Sequence, residues 1–172
     1  MKINDYLTYI NTPGDVIHLK SKLLPVNMRL FKSSHQYKYL IREICRYIKS
    51  LALIKFDDYE LPHGMSGANV AIPFNIIGIV RSRGKHNTYC EIMINPDIIE
   101  WRDDNNFAMN SNCGSIRLKE PILVSRASNI KVLWYDENGK SHTKWFNIKE
   151  GGATIQHEID HNNGILITDK TY

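Results

Sequence analysis

The stretch Gln156-His157-Glu158-Ile159-Asp160-His161 decides how the rest of this 172-residue chain is read. The apolar spacing of Ile155 and Ile159, with Thr154 ahead of them, predicts a helix. In a helix, His157 and His161 stand one turn apart on one face. Two imidazoles so placed can share one metal ion, with Glu158 beside them as a proton acceptor that is not itself a ligand. The competing reading is a surface helix on which these side chains meet by chance.

A catalytic site of this kind takes three protein ligands and keeps one position open, so the third ligand sets the chemistry. After His161 there is neither Glu nor His. Gly164 matches the glycine of the longer protease pattern H-E-x-x-H-x-x-G-x-x-H, but Ile167 stands where its third histidine belongs. A protease of that type is disfavoured, and the search moves upstream to a thiolate. Of three cysteines, Cys45 lies in a helical pattern and Cys90 alternates with Ile92 and Ile94 along a strand, so both are expected in the core. Cys113 sits between Asn110-Ser111-Asn112 and Gly114-Ser115, polar and turn-forming company, and is the expected third ligand. An odd cysteine count, in a chain whose start (Met1-Lys2-Ile3-Asn4-Asp5) lacks an export signal, argues against a disulfide framework and for a cytoplasmic protein.

The length suits one domain over residues 1–172. Hydrophobic content of 42% and charged content of 23% are those of a globular protein, and no apolar run reaches membrane length. The net charge is only +4, yet residues 16–56 hold nine Lys or Arg (Lys20, Lys22, Arg29, Lys32, Lys38, Arg42, Arg46, Lys49, Lys55) against Glu43. Such a face either meets RNA, for instance a ribosome surface, or is simply solvated.

The first thirty residues are broken at Pro13-Gly14 and Pro25. From Ser34 an amphipathic helix of about twenty residues is predicted, with Tyr37, Leu40, Ile41, Ile44, Ile48 and Leu51 at three- and four-residue steps. The glycine-bearing segment His63-Gly64-Met65-Ser66-Gly67-Ala68-Asn69 lets backbone approach a packed element or a ligand. Strands are expected at 76–80, 89–94 (stopped by Asn95-Pro96), 98–101, 122–124, 130–135 and 142–148. Residues 103–106 read as a polar loop, and Asp136-Glu137-Asn138-Gly139 as a hairpin turn whose Asn-Gly tolerates positive φ. The fold class is α+β: mostly antiparallel strands packed around a C-terminal metal-binding helix, with an N-terminal amphipathic helix.

With these pieces in order, the chain resembles the peptide deformylases, whose motifs run G-L-A-A-x-Q, E-G-C-L-S and Q-H-E-x-D-H. The third is complete at residues 156–161. The first is altered, Gly64-Met65-Ser66-Gly67-Ala68-Asn69-Val70 placing Asn69 where the family has glutamine. The second keeps its cysteine and serine in Ser111-Asn112-Cys113-Gly114-Ser115. Asn69 and Cys113, and again Cys113 and His157, are 44 residues apart, close to the family's spacing. Residues 9–26 resemble the family's opening segment, and short divergent members of this kind look like those encoded by bacteriophages.

The resemblance implies a hydrolase that removes the formyl group from the initiator methionine of nascent polypeptides and releases formate. It implies Cys113, His157 and His161 as ligands of one divalent ion, Fe2+ first, with Zn2+ or Ni2+ as replacements; the ligand set alone suits zinc equally. Glu158 is then the general base, and the Asn69 amide and Gly114 N–H stabilise negative charge on the formyl oxygen. An extended N-formylmethionyl peptide would lie along the Gly64 and Asn112 backbones. Its methionine pocket would draw on Met109, Ala153, Thr154 and His157, widened by the small Gly152 and Ala153. A monomer in the cytoplasm, the host's if phage-encoded, is expected, with possible ribosome contact through the basic helix and no membrane. Two other readings stay open: another HExxH metallopeptidase or amidase, and a metal-binding module docking on ribosomal RNA.

Overall fold

The computed structural model describes residues 22–53, 64–82, 88–102, 107–116 and 118–170. The break at Pro13-Gly14, most of the opening segment, His63 and the loop at 103–106 lie outside them. Helix α1 (Met28–Ser33) starts at Asn27, whose side chain accepts the N–H groups of Arg29 and Leu30. Helix α2 (His35–Ala52) starts at Ser34, whose hydroxyl accepts the Tyr37 N–H. This is the amphipathic helix expected from the sequence, and it buries Ile41, Ile44, Cys45, Ile48 and Ala52.

Seven strands follow among the described residues: β1 (Gly64–Ser66), β2 (Ile76–Ser82), β3 (Thr88–Arg102), β4 (Phe107–Ser111), β5 (Ile122–Arg126), β6 (Asn129–Tyr135) and β7 (Ser141–Asn147). Five make one antiparallel sheet in the order β1-β2-β3-β6-β7, while β4 and β5 pair separately. Helix α3 (Gly152–Asn162) and a 3-10 turn, Ile167–Lys170, complete the described chain. The fold is mixed helix and antiparallel sheet, as expected.

The apolar run 76–80 belongs to a strand covered on both faces. Ile76 and Val80 pack with Ile41, Ile44 and Ile48 of α2. Ile77 and Ile79 pack with Ile155 and Ile159 of α3, together with Met93, Ile130, Val132 and Phe146. The sheet thus lies between the basic helix and the helix that carries the histidines. Among the described residues no helix is long and apolar enough to cross a membrane.

Three readings of the strands need correction. Asn95-Pro96 does not end a strand: β3 continues through it with a shifted register between Ile94 and Asp97. Proline has no N–H to give the ladder, and a bulge is where a strand tolerates that loss. There Asn95 takes φ +52°, and its side chain accepts the Val26 N–H at 2.7 Å while donating to the Val26 carbonyl at 2.8 Å. The short β1 and the polar β4 form through pairing rather than pattern, so Asn110 and Ser111, expected in a turn, end a strand opposite Leu123 and Ile122. In the β6–β7 hairpin only Gly139 takes a positive φ, +80°; Asn138 does not.

Candidate metal centre

Helix α3 is fixed at both ends and along its inner face before its polar residues do any chemistry. Its entry passes through Gly151, at φ +92°, where a Cβ would come within 2.8 Å of Arg81 Nη1. Gln156 acts as a two-sided clamp on the β5–β6 turn, accepting the Ala127 N–H at 2.9 Å and donating to the Ala127 carbonyl at 3.0 Å. At the far end Asn162 donates to Asn75 Oδ1 at 2.8 Å.

On this held helix the His157 and His161 Nε2 atoms are 3.0 Å apart, and Cys113 Sγ lies 3.3 Å from His161 Nε2. The three donor atoms all fall within 4.8 Å of one another. Burial pushes the His157 imidazole down to about 3, helped by His161, Arg126 and Lys170. It pushes His161 down to about 4, against the opposing pull of Asp160. Both rings are neutral at physiological pH, the form that binds metals. The Cys113 thiol is raised by burial, while the N–H groups of Ser115 and Ile116 and the Ser115 hydroxyl stabilise its anion. One ion at about 2.0–2.3 Å from each donor needs them a little over 3 Å apart, so the trio fits a single divalent metal.

Glu158 follows His157 on α3, near enough to the centre for its charge to act on the Cys113 thiol. It is 4% exposed, and its Oε2 has no hydrogen-bond partner among the described residues. Burial raises its carboxyl to about 8, partly offset by the Ser66 hydroxyl and Arg126. Gly64 lies against it: a Cβ there would sit 2.7 Å from Glu158 Cγ and 2.8 Å from Oε1. The close approach expected of the glycine segment is thus to the carboxylate.

The other residues that the sequence nominates are spread around this centre, which the structure brings together from β1, β4 and α3. Asn69 lies in a 3-10 turn after β1, its Oδ1 accepting from Ser66 N and Oγ and its Nδ2 donating to Ser115 Oγ at 2.7 Å. It therefore ties the β1 turn to the cysteine turn. Gly114 has open space around its Cβ direction, and Asn112 is exposed. Met109 packs near Cys113 and Val124, and Ala153 and Thr154 are half-buried in the first turn of α3. Gly152 does not widen a pocket: its Cβ direction is closed by the Asn147 carbonyl oxygen at 2.7 Å.

Sequence reading missed Arg126, Lys170 and Ser66. Arg126, 3% exposed at the end of β5, pairs with one carboxylate oxygen of Asp160, and Lys170 Nζ reaches the other at 2.9 Å. Arg126 Nη2 also lies 3.5 Å from His157 Nδ1. The available signal was periodicity: Ile122, Val124 and Arg126 share one face of β5, so an arginine occupies a core position where only a buried acid could satisfy it.

Two neutral imidazoles, a thiol and a buried carboxylate with one oxygen unpartnered among the described residues form the constellation of a metal-dependent hydrolase. The sequence model of the polypeptide deformylase family matches residues 13–172. The chain belongs to the peptide deformylase family, metal-dependent hydrolases that release formate from formylated N-termini. It is 31% identical over 139 residues to the peptide deformylase of Rhodopseudomonas palustris (strain TIE-1), covering 75% of this chain and 74% of that one. An 81-residue stretch is 37% identical to the peptide deformylase of Christiangramia forsetii, covering 46% of this chain and 39% of that protein. Among solved structures, a probable peptide deformylase from Synechococcus phage S-SSM7 superposes with a TM-score of 0.66 at 23% identity, covering 89% of this chain and 93% of that one. That last likeness speaks for the fold alone.

Proposed function

We propose that this chain, acting as one catalytic domain, removes the formyl group from the initiator methionine of nascent polypeptides, with Cys113, His157 and His161 holding one divalent ion. The observation that carries this reading is the meeting of three metal-binding atoms beside the buried Glu158 carboxylate. When bound, the ion supplies Lewis-acid polarisation and acidifies a water molecule. Glu158 accepts the proton lost by the attacking water and delivers it to the departing amine, the two halves of one general acid–base role. The Asn69 amide and the Gly114 N–H are the donors for charge developing on the formyl oxygen, each worth about 3 kcal/mol in such a role.

The peptide lies extended along Gly64 and Asn112, and Met109, Ala153 and Thr154 line the methionine side. Fe2+ is the proposed native ion; a Cys-His-His set accepts Zn2+ or Ni2+ as well. The protein works as a monomer in the cytoplasm, the host's if a phage encodes it. Ribosome contact draws on the exposed Arg29 and Lys32, since Arg42 and Lys49 of α2 are engaged by the β6–β7 turn. Arg42 donates to the Glu137 carbonyl and to Asn138, and Lys49 pairs with Glu137 at 2.7 Å.

The test is formate release from formyl-methionyl peptides by the anaerobically prepared iron form beside Glu158→Gln. The wild type should release formate, and Glu158→Gln should lose about 10²- to 10⁴-fold in kcat while binding the metal equally. Cleavage of internal peptide bonds in place of formate release would establish the metallopeptidase reading instead.

A further inference from the structure

Ser66 is fully buried as the last residue of β1, where it pairs with Ile77. Its backbone N–H donates to Asn69 Oδ1 at 2.6 Å and its hydroxyl to the same oxygen at 2.7 Å. The hydroxyl oxygen also accepts the Asn69 backbone N–H at 3.4 Å, and the same side chain lies close enough to the Glu158 carboxylate to favour its charged form. At the far end of the amide, Nδ2 donates to Ser115 Oγ, and the Ser115 hydroxyl in turn supports the Cys113 sulfur. A continuous polar chain therefore runs from Ser66 through Asn69 and Ser115 to Cys113.

The two ends of an asparagine amide are nearly the same size but opposite in hydrogen-bonding sense. Which end faces the reacting carbonyl decides whether the residue stabilises or repels a developing oxyanion. Ser66 offers two donors to one spot, and only the amide oxygen can occupy it. A flipped amide would put N–H against N–H and O–H in a fully buried place, where unpaired donors are expensive. With the oxygen captured, the NH2 group has to face the cysteine turn, leaving its second N–H directed away from Ser66.

We infer that Ser66 is a positioning residue for deformylation: it locks the Asn69 amide with its donors outward. The inference rests on the role proposed for Asn69, and it adds the group that sets its geometry. The single hydroxyl proton goes to Asn69 Oδ1, so the amide is the group that this atom fixes.

The experiment compares wild type, Ser66→Ala, Asn69→Ala and the double variant, loaded with the same metal, by steady-state kinetics and by 15N–1H spectra of the Asn69 side-chain amide. Ser66→Ala should lower kcat by about ten- to a hundredfold with KM within about twofold, because a donor is misaimed rather than a binding contact removed. The Asn69 NH2 protons should exchange with solvent at least about tenfold faster in Ser66→Ala, a change that loss of stability alone does not produce when the thermal midpoint stays well above the measuring temperature. In the Asn69→Ala background, Ser66→Ala should cost clearly less than in the wild type, since the two residues act as one unit. Unchanged amide exchange and a kcat within about twofold in Ser66→Ala would overturn the proposal. If Ser66→Ala frees the amide while Asn69→Ala leaves kcat intact, the positioning stands and the oxyanion role of Asn69 fails.

Discussion

Gly64 and Glu158 are a pair, although 94 residues separate Gly64 and Glu158 in the sequence (158 minus 64). The glycine has no side chain because the carboxylate occupies that space, so Gly64→Ala should displace Glu158 without emptying the metal site. A shift of about 1 Å in a catalytic group can cost about a hundredfold, and a kcat loss approaching that size is expected by steady-state assay. Cys113 gives a second test at this scale. Its thiol is raised by burial whereas both imidazoles are already neutral, so loading the ion at neutral pH should release about one proton per site. Titration calorimetry in buffers of different ionisation enthalpy would measure it. Residue-level reading from sequence placed His157, Glu158 and His161 on one helix, because periodicity alone brings neighbours on a helix together. It failed for Arg126 and Ser66, whose partners Asp160 and Asn69 are defined by which strand end meets which turn.

At the scale of elements, the hairpin between β6 and β7 is organised by Asp136. Its Oδ1 accepts the N–H groups of Asn138 and Lys140 at 2.8 and 3.0 Å, and its Oδ2 lies 2.9 Å from His142 Nε2. Burial pushes its carboxyl up, but His142 and the two backbone donors outweigh that and hold it below the ordinary carboxylate value. A carboxyl depressed in the folded state stabilises the fold above its unfolded pKa, and that contribution disappears as pH falls through the folded value. Thermal melts from pH 7 down to pH 3 should therefore show Asp136→Asn destabilised at neutral pH and converging on the wild type in acid. The turn was legible because Asp-x-x-Gly chemistry is local. β1 and β4 were not, being too short or too polar to show an alternation before their partners are in place.

Across the whole molecule, the candidate metal site lies where the β4–β5 pair, α3 and the last turn of the described chain meet. Cys113 packs with Val124 and Ile167, while Lys170 reaches back to Asp160 on α3. An ion shared by Cys113, His157 and His161 links the β4–β5 pair to the helix on the main sheet, and it binds the folded form alone. At a hundredfold excess over Kd that is worth about 2.7 kcal/mol, so chelation should lower the Tm by about 5–10 °C, read by a melt with and without chelator. Unchanged melting on verified metal removal would show that the site contributes nothing to holding these parts together.

By itself the sequence determined the histidine helix, the amphipathic helix, the apolar strand at 76–80 and the class of chemistry, because each depends on spacing within one element or on side-chain type. Only the tertiary structure decided that Gly64 makes room for Glu158, that Gly152 abuts backbone rather than a pocket, and that Arg126, Lys170 and Ser66 support the site. Those facts arise where separate elements come into contact, and the distances across such contacts are set by packing of the whole chain, which no local periodicity encodes.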